Sequence, residues 1–295
     1  MENLYIIKIG GNIIDDDDKL LSFLKDFAAI SGKKILVHGG GKLATKLAAD
    51  LGIQQQLVDG RRITDGETLK IVTMVYAGFI NKNIVARLQA RGCDAVGISG
   101  ADGNAILAHK RAPSGTSQGE AGPGANASRG ETGQAGAPGE SGQGGPNQGI
   151  DYGFVGDVDK INAAFLTSLL QQGKSLVFAP ITHDGKGQLL NTNADTIAQE
   201  LARGLSGAFG VSLIYSFEKS GVLLNAEDDR SVIRRINPSY YRELKERQVV
   251  FAGMIPKLDN AFAALRNGVR KVIIGRAEDL PQLLAGQTGT TIVHE

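Results

Sequence analysis

Short β-rich segments alternate with amphipathic helical segments along almost all of this 295-residue chain. Because strands that are joined through helices run parallel, the alternation predicts βαβ units and an α/β fold. A capping-box pattern at Thr64 and Glu67 predicts the start of a long helix. Strands are predicted at Leu4–Ile9, Lys34–Val37, Ala95–Ser99, Leu176–Ala179, Val211–Ser216 and Lys271–Ile274. Further helices are predicted from about Asp159, Asn193, Pro238, Lys257 and Ala277.

The near-zero net charge argues against strong electrostatic attraction to a highly charged partner. Lys plus Arg number 32 against 31 Asp plus Glu, a formal net charge of +1, so no field favours nucleic acid or anionic lipid. A single cysteine, Cys93, excludes an internal disulfide and fits a reducing compartment. No signal peptide is evident, and no apolar run approaches the roughly 20 residues of a membrane helix. We therefore expect a cytoplasmic protein that binds neither nucleic acid nor membrane.

Residues 112–149 break the βα alternation. They hold 12 of the 40 glycines and 4 of the 8 prolines, and their only other apolar side chains are alanines. Such a segment cannot bury enough apolar surface to offset the entropy of ordering, so we expect a flexible loop. Glycine recurs every third residue from Gly130 to Pro146, but six ragged triplets are too few for a collagen triple helix. The flanks Ala105–Arg111 and Ile150–Val155 resemble two arms of a hairpin that carries an inserted or engineered loop with no part in the chemistry.

Two glycine-rich turns follow predicted strands. Gly39, Gly40 and Gly41 lie between a strand and a helix, and Gly10 and Gly11 follow the first strand. Glycine lets the backbone approach an anion closely, and a helix amino end presents free N–H groups and a positive dipole. Tight βα turns without a ligand would look the same, but two such turns at neighbouring strands favour anion binding. Neither turn has the dinucleotide-binding or Walker pattern.

Two lysines and a carboxylate stand at other strand and helix ends. Lys8 lies in the first strand, just before the Gly10 turn, Asp195 opens a helix after an asparagine-rich turn, and Lys257 opens another helix. Two cations with a carboxylate to orient them suit phosphoryl transfer, which needs alignment and charge stabilisation more than covalent catalysis. Taken alone, the Asp195 segment would be explained by helix capping.

Arg61 and Arg62 precede the long helix. An arginine can grip a carboxylate with two parallel hydrogen bonds, although most such pairs are solvated surface charge. The four histidines are scattered without the spacing of metal ligands, so no protein metal site is expected.

These motifs, in this order, resemble the amino-acid kinase superfamily and, within it, the N-acetylglutamate kinase family of arginine biosynthesis, in the version found in Bacteroides-like bacteria. The resemblance covers nearly the whole chain outside 112–149. It implies an open, mainly parallel eight-stranded sheet sandwiched by helices. It also implies that residues 1–179 bind the N-acylglutamate and form a homodimer, and that residues 180–295 bind ATP. The motifs are Ile7–Gly11, Val37–Gly41, Gly60–Thr64, Asn191–Asp195, Tyr215–Val222 and Gly253–Lys257.

Roles follow from the resemblance residue by residue. It implies that Lys8 and Lys257 stabilise the transferring phosphoryl group, that Asp195 holds both lysines, and that the Gly11 N–H contacts the phosphoryl oxygens. The implied substrate-binding residues are Gly40, Gly41, Arg62, Asn191 and Asn193. The implied nucleotide-binding residues are Ser216, Phe217, Glu218, Lys219, Ser220, Gly221 and Val222, with Mg²⁺ carried on the phosphates and no protein metal ligand.

The implied reaction is ATP-dependent phosphorylation of the γ-carboxylate of N-acetyl-L-glutamate or N-succinyl-L-glutamate. A carboxylate is already ionised at neutral pH, so the reaction needs no general base, in keeping with the lack of a catalytic-looking histidine. Two alternatives remain open. One is another amino-acid kinase, of the glutamate 5-kinase or carbamate kinase type, and the other is a catalytically impaired scaffold that displays the inserted loop.

Overall fold

The computed structural model describes residues 1–58, 61–113, 149–225, 227–250 and 254–295. Its centre is an eight-stranded sheet in which every neighbouring pair is parallel except β13 and β14. All six predicted strands lie in this sheet. From one edge to the other, the strands are β12 (Arg235–Ile236), β14 (Thr290–Ile292), β13 (Lys271–Arg276), β11 (Gly210–Phe217), β1 (Asn3–Ile9), β2 (Lys33–Val37), β8 (Ser175–Phe178) and β5 (Ala95–Ile98).

Helices cover both faces of the sheet, as predicted. Alternate residues of β1 enter two separate cores: Leu4 and Ile6 pack on one face, and Ile7 and Ile9 on the other. The first face carries α6 (Ala163–Gln171), α7 (Ala194–Leu205), α8 (Pro238–Glu246) and α9 (Ile255–Arg266). The second carries α1 (Gly11–Ile14), α2 (Asp17–Ala29), α3 (Gly41–Asp50), α4 (Gly66–Thr73), a π-helical segment (Met74–Ile80), α5 (Asn81–Gln89) and α10 (Leu280–Leu284).

Two smaller sheets lie beside the central one. Four strands pair in the order β10 (Leu189–Asn191), β9 (Ile181–His183), β6 (Ile106–Lys110) and β7 (Gly156–Ile161). β3 (Leu57–Val58) and β4 (Arg61–Arg62) form a short antiparallel pair. Short 3₁₀ turns occupy Asp102–Asn104 and Ala277–Asp279. In the described part of the chain, no helix has the length and apolar character that a membrane crossing requires.

The expected hairpin exists, but its second arm was misplaced. β6 pairs antiparallel with β7, which begins at Gly156, after the predicted arm Ile150–Val155. The helix expected from about Asp159 exists as α6, but it begins four residues later, at Ala163, because Asp159 lies in β7. Asp157 and Asp159 pair across the hairpin with Arg111 and His109, which favours a strand at this point.

Asn162 accepts a hydrogen bond from the Phe165 amide and so fixes the true start of α6. The start of the long helix also shifts by one residue. Asp65, and not Thr64, caps α4 by accepting a hydrogen bond from the Thr68 amide at 2.8 Å. The Thr64 hydroxyl donates instead to the Arg62 carbonyl.

Part of the sequence predictions cannot be compared with the structure. Residues 114–148, which make up most of the expected flexible loop, lie outside the described residues, as do Gly60 and Gly253 of two motifs. The division into halves at residue 179 stays a prediction. The two predicted halves share one sheet, because β1 pairs with β2 of the first half on one side and with β11 of the second half on the other.

Candidate active site

Lys8 reaches the α7 side of the sheet because it follows Leu4 and Ile6 at two-residue spacing along β1 and therefore points to the same face. Its ammonium nitrogen lies 2.8 Å from Oδ1 of Asp195, in the first turn of α7. The Lys8 side chain is 13% exposed and that of Asp195 is 34% exposed. The pair is therefore partly shielded from water, where an ion pair is stronger than on an open surface. The structure thus joins two residues that are 187 positions apart (195 − 8).

Lys257 completes the cluster from the first turn of α9. Burial lowers the pKa of its ammonium group, while the negative charge of Asp195 raises that pKa and the positive charge of Lys8 lowers it. All three charges therefore act on one another. The Lys257 ammonium also lies 4.1 Å from the centre of the Phe217 ring, at the end of β11.

Lys257 and the turn at Gly10 and Gly11 border a cavity of about 730 Å³. This volume is typical of a small-molecule site, and the walls combine apolar side chains with a few charged groups. Most of the predicted nucleotide-binding segment faces the cavity. The lining includes Ser216, Phe217, Glu218, Lys219, Gly221 and Val222, together with Leu223, Val249, Val250 and Met254.

Arg276 also lines this cavity, and sequence reasoning missed it. Its guanidinium donates to the Glu218 carbonyl at 3.2 Å, to the Ser220 hydroxyl at 3.1 Å and to the Asp229 carboxylate at 2.7 Å. Ser220 does not line the cavity itself, but its hydroxyl accepts this hydrogen bond from Arg276, which does. A cation at the carboxyl end of a strand next to β11 was the only signal that could have revealed Arg276.

The second glycine turn lies at the amino end of α3. Gly40 has φ +149, and a Cβ there would lie 2.3 Å from Cδ1 of Ile80, so a side chain at this position would strain the backbone and displace Ile80. The Gly41 carbonyl accepts a hydrogen bond from Arg62 at 3.0 Å. Arg62 also donates to Thr45 at 2.9 Å and to the side-chain oxygen of Gln55. The structure thus places Gly40, Gly41 and Arg62 together.

His38 supports this turn from inside the protein. Its side chain is completely buried, and burial lowers the pKa of the imidazole to about 4, so it is neutral at pH 7. Nδ1 lies 2.8 Å from the Gly39 carbonyl and therefore carries the proton. Nε2 accepts from the Asn81 amide at 3.2 Å, and the same amide group donates to the Val177 carbonyl at 2.9 Å.

Asn191 and Asn193 take different positions. Nδ2 of Asn191 donates to the Thr64 hydroxyl at 3.0 Å, so Asn191 lies near the Arg62 segment. Asn193 is exposed and caps α7, since its side-chain oxygen accepts from the amides of Asp195 at 2.8 Å and Thr196 at 3.2 Å. Among the described residues, no group of three or more His, Cys, Asp and Glu side chains could hold a metal ion.

Comparison with known proteins agrees with this architecture. The model of the Amino acid kinase family matches residues 3–276. Solved structures share the fold at low identity. The N-acetylglutamate synthase of Neisseria gonorrhoeae, complexed with coenzyme A and N-acetyl-glutamate, gives a TM-score of 0.73 at 20% identity and covers 100% of this chain and 60% of its own. Giardia carbamate kinase gives 0.66 at 12% identity and covers 100% and 99%.

Curated relatives narrow the family. The acetylglutamate kinase of Cytophaga hutchinsonii is 54% identical over 284 residues, which are 96% of this chain and 95% of that protein. The acetylglutamate kinase of Phocaeicola vulgatus is 50% identical and covers 92% and 93%, and that of Methanopyrus kandleri is 34% identical and covers 93% and 96%. The chain therefore belongs to the amino acid kinase family and, within it, to the acetylglutamate kinases.

Proposed function

We propose that this protein transfers the γ-phosphoryl group of ATP to the γ-carboxylate of N-acetyl-L-glutamate, in the biosynthesis of arginine. The curated acetylglutamate kinases that are about half identical to the chain support this reaction. The observation that carries the proposal is the cluster of Lys8, Asp195 and Lys257 beside a cavity of nucleotide size. In the reaction, a carboxylate oxygen forms a bond to the γ-phosphorus, and the bond from that phosphorus to the bridging oxygen of ADP breaks.

The two lysines address the main obstacle, which is the repulsion between an anionic acceptor and an anionic donor. A cation at the migrating phosphoryl group stabilises its charge, and a second cation stabilises the leaving nucleotide. We assign these roles to Lys8 and Lys257. Asp195 lies 2.8 Å from the Lys8 ammonium and so holds it in place, and the negative charge of Asp195 raises the pKa of Lys257 against the effect of burial, which favours the charged form of Lys257.

We place ATP in the 730 Å³ cavity. The apolar side chains of Val222, Val249 and Met254 suit the adenine base, and the turn at Gly10 and Gly11 suits the phosphates. The Gly11 N–H would contact the phosphoryl oxygens. The segment Ser216–Val222 forms the wall between base and phosphates.

Magnesium fits this site as a companion of the nucleotide. Mg²⁺ is commonly held by substrate phosphates and water with few protein carboxylates. That mode suits a region in which the described residues form no cluster of metal ligands. When bound, Mg²⁺ neutralises charge on the triphosphate, and the residues of the chain supply the remaining stabilisation.

We place the acylated amino acid between the second glycine turn and the Asn191 segment. Arg62 can form parallel hydrogen bonds with a carboxylate, and the glycine turn offers backbone N–H groups to another anionic oxygen. Gly40, Gly41, Arg62 and Asn191 are the proposed binding residues. Asn193 is also proposed, although its side-chain oxygen serves the α7 cap.

The proposal includes a division of labour and an assembly. Residues 1–179 would bind the acylglutamate and form a homodimer, and residues 180–295 would bind ATP, in a cytoplasmic enzyme. The dimer is supported by two large apolar side chains on the π-helical segment, Met74 and Phe79, which are 53% and 64% exposed. Exposed apolar surface of this kind marks interaction sites.

A coupled assay of ADP release tests the function. It should use N-acetyl-L-glutamate, N-succinyl-L-glutamate, free L-glutamate and carbamate as acceptors, each with Mg²⁺ and ATP. The proposal expects turnover with an acylglutamate and none with free glutamate or carbamate. Turnover with free glutamate or carbamate alone would assign the protein to another amino-acid kinase activity. If none of the four acceptors supports ADP release, the result would favour the catalytically impaired scaffold. Comparison of the two acyl substrates decides which acyl group the protein accepts.

A further inference from the structure

The segment Tyr152–Val155 lies between the two parts of the chain that hold Arg62 and Asn191. We call it the bridging segment. On one side, the Thr64 amide donates to the Tyr152 carbonyl at 2.9 Å, and the Phe154 amide donates to the Thr64 carbonyl at 2.6 Å. On the other side, the Asn191 amide donates to the Phe154 carbonyl at 2.9 Å. Thr64 and Asn191 therefore flank the same short stretch of backbone.

Side chains link the same parts of the chain a second time. Nδ2 of Asn191 donates to Oγ1 of Thr64 at 3.0 Å, across 127 positions of sequence. The Thr64 hydroxyl in turn donates to the Arg62 carbonyl at 3.2 Å. Thr64 is completely buried, so loss of its hydroxyl would leave the Asn191 amide and the Arg62 carbonyl each without this hydrogen bond. The distance between Arg62 and Asn191 is thus set through Thr64 and the bridging segment.

Gly153 is the narrowest point of this arrangement. Its φ is +70, and a Cβ there would lie 2.2 Å from the Thr64 carbonyl oxygen. That atom belongs to the backbone and cannot rotate aside as a side chain could. An alanine at 153 would therefore have to push Thr64, and with it Arg62, away from the bridging segment.

The bridging segment is also held from the hairpin side, and these contacts oppose its movement away from Thr64. The Gly153 amide donates to the Asp151 carboxylate at 2.8 Å, and that carboxylate lies 3.4 Å from the Lys110 ammonium. The buried Tyr152 ring lies 5.9 Å from the Arg111 guanidinium carbon, and the Phe154 ring lies 5.8 Å from the Lys110 ammonium.

We propose that Gly153 and Thr64 are positioning residues for the acylated amino acid. Gly153 fixes the spacing of the backbones, and the Thr64 hydroxyl fixes the Asn191 side chain relative to Arg62. This inference rests on the proposed substrate roles of Arg62 and Asn191. Neither Gly153 nor Thr64 lines the nucleotide cavity, so disturbing them should affect the acyl substrate selectively.

The test compares two glycine-to-alanine variants at positions with nearly the same φ. Gly52 has φ +71 and no heavy atom within 4 Å of a Cβ built on it, so Gly52→Ala carries the conformational strain without the collision. KM for N-acetyl-L-glutamate and KM for ATP are measured separately in Gly153→Ala, Gly52→Ala and the unsubstituted protein. Gly153→Ala should raise KM for N-acetyl-L-glutamate on the order of tenfold and leave KM for ATP unchanged. Gly52→Ala should change neither constant.

A second pair of variants covers the case in which Gly153→Ala does not fold. Thr64→Val keeps the shape but removes the hydroxyl, and Thr64→Ser keeps the hydroxyl. Thr64→Val should raise KM for N-acetyl-L-glutamate, and Thr64→Ser should keep the KM of the unsubstituted protein. Unchanged KM in Gly153→Ala, or equal KM in the two Thr64 variants, would overturn the inference.

Arg62→Ala separates this inference from the proposed function. If Arg62→Ala raises KM for N-acetyl-L-glutamate while the Gly153 and Thr64 variants do not, the function stands and the positioning role fails. If the unsubstituted protein shows no acylglutamate-dependent ADP release, or if Arg62→Ala leaves KM unchanged, the assigned substrate site fails first.

Discussion

Lys257 combines a half-buried ammonium with two charged neighbours and an aromatic ring. Removal of one well-placed charge at a transferring group costs on the order of a hundred- to thousandfold in rate. We expect Lys257→Ala and Lys8→Ala to lose at least that much in kcat and to remain folded. The check is kcat for ADP release together with circular dichroism.

Lys186→Ala is the matched control, because Lys186 is exposed in the turn between β9 and β10. It should keep full activity. A folded Lys257→Ala enzyme with near-normal turnover would refute the assigned role.

His38 makes stability depend on pH. Burial lowers the pKa of the folded imidazole to about 4, against 6.5 in an unfolded chain. As the pH falls from 6.5 to 4, the unfolded state binds the proton first, so the free energy of unfolding should fall by roughly 3 kcal/mol from this group. Urea unfolding between pH 7 and pH 4 measures the acid slope, which is the change in the free energy of unfolding with pH.

The exposed His294 supplies the comparison for His38. His38→Gln should flatten the acid slope, since it removes the titrating group. His294→Gln should keep the slope of the unsubstituted protein. Equal slopes in all three proteins would show that His38 does not control acid stability.

At the scale of elements, the amino end of α7 links stability to the site. Asn193 accepts hydrogen bonds from the amides of Asp195 and Thr196, and loss of such a cap costs about 1 kcal/mol. We expect Asn193→Ala to lower the free energy of unfolding by that amount, and Asn193→Asp to retain most of it. Chemical denaturation gives both values.

Kinetics of the same variants separate capping from substrate binding. If Asn193 acts through the cap, Asn193→Asp keeps KM for N-acetyl-L-glutamate. A raised KM in Asn193→Asp, at full stability, would instead support direct contact with the substrate.

The β6–β7 hairpin closes before residues 114–148 begin. The Arg111 amide donates to the Val155 carbonyl at 2.8 Å, and the Arg111 guanidinium pairs with Asp157. Replacing 114–148 with a short Gly-Ser linker should therefore preserve kcat and both KM values. Shortening the loop should raise the free energy of unfolding by at most about 2 kcal/mol, because closure entropy grows only with the logarithm of length.

Steady-state kinetics and urea unfolding of the shortened protein check this expectation. The Arg111–Asp157 ion pair offers an internal control. Arg111→Ala should lower the free energy of unfolding by the same amount in the shortened and in the full-length protein. Loss of activity in a folded, shortened protein would show that the segment 114–148 takes part in function.

Sequence patterns predicted elements best where one pattern was unambiguous. The six strands were correct because each is a short, mainly apolar segment, as is typical of a buried parallel strand. The region from Gly149 to Ala163 was misread because Asp157 and Asp159 resemble a helix start until their partners across the hairpin are known. Thr64 and Asp65 are both acceptable caps, and only tertiary contacts decide between them.

In the site, too, local patterns did not reveal residues that are defined by tertiary contacts. Lys8, Asp195 and Lys257 stood in recognisable motifs, and the structure brings them together. Arg276 and Gly153 stood in none. Arg276 pairs with Asp229, 47 positions away (276 − 229), and Gly153 packs against Thr64, 89 positions away (153 − 64), and no local pattern records either contact.

For the whole molecule, the proposed dimer gives a direct expectation. The unsubstituted protein should have twice the chain mass of 31.0 kDa in solution, measured by light scattering after gel filtration. Phe79→Asp should give the chain mass, because a charge at the centre of an apolar contact is costly. Leu51→Asp, at an exposed leucine on α3's carboxyl end, should stay dimeric. A monomeric unsubstituted protein would contradict the assembly.

The position of β1 at the middle of the sheet has a consequence for biosynthesis. The ribosome releases Asn3–Ile9 at the start of translation, but one of its two neighbours, Gly210–Phe217, leaves the exit tunnel some 200 residues later. During that interval the nascent chain carries an open hydrogen-bonding edge, of the kind that recruits foreign strands. The last third of the polypeptide thus shields the first strand, and a message cut short before it yields aggregation-prone chains.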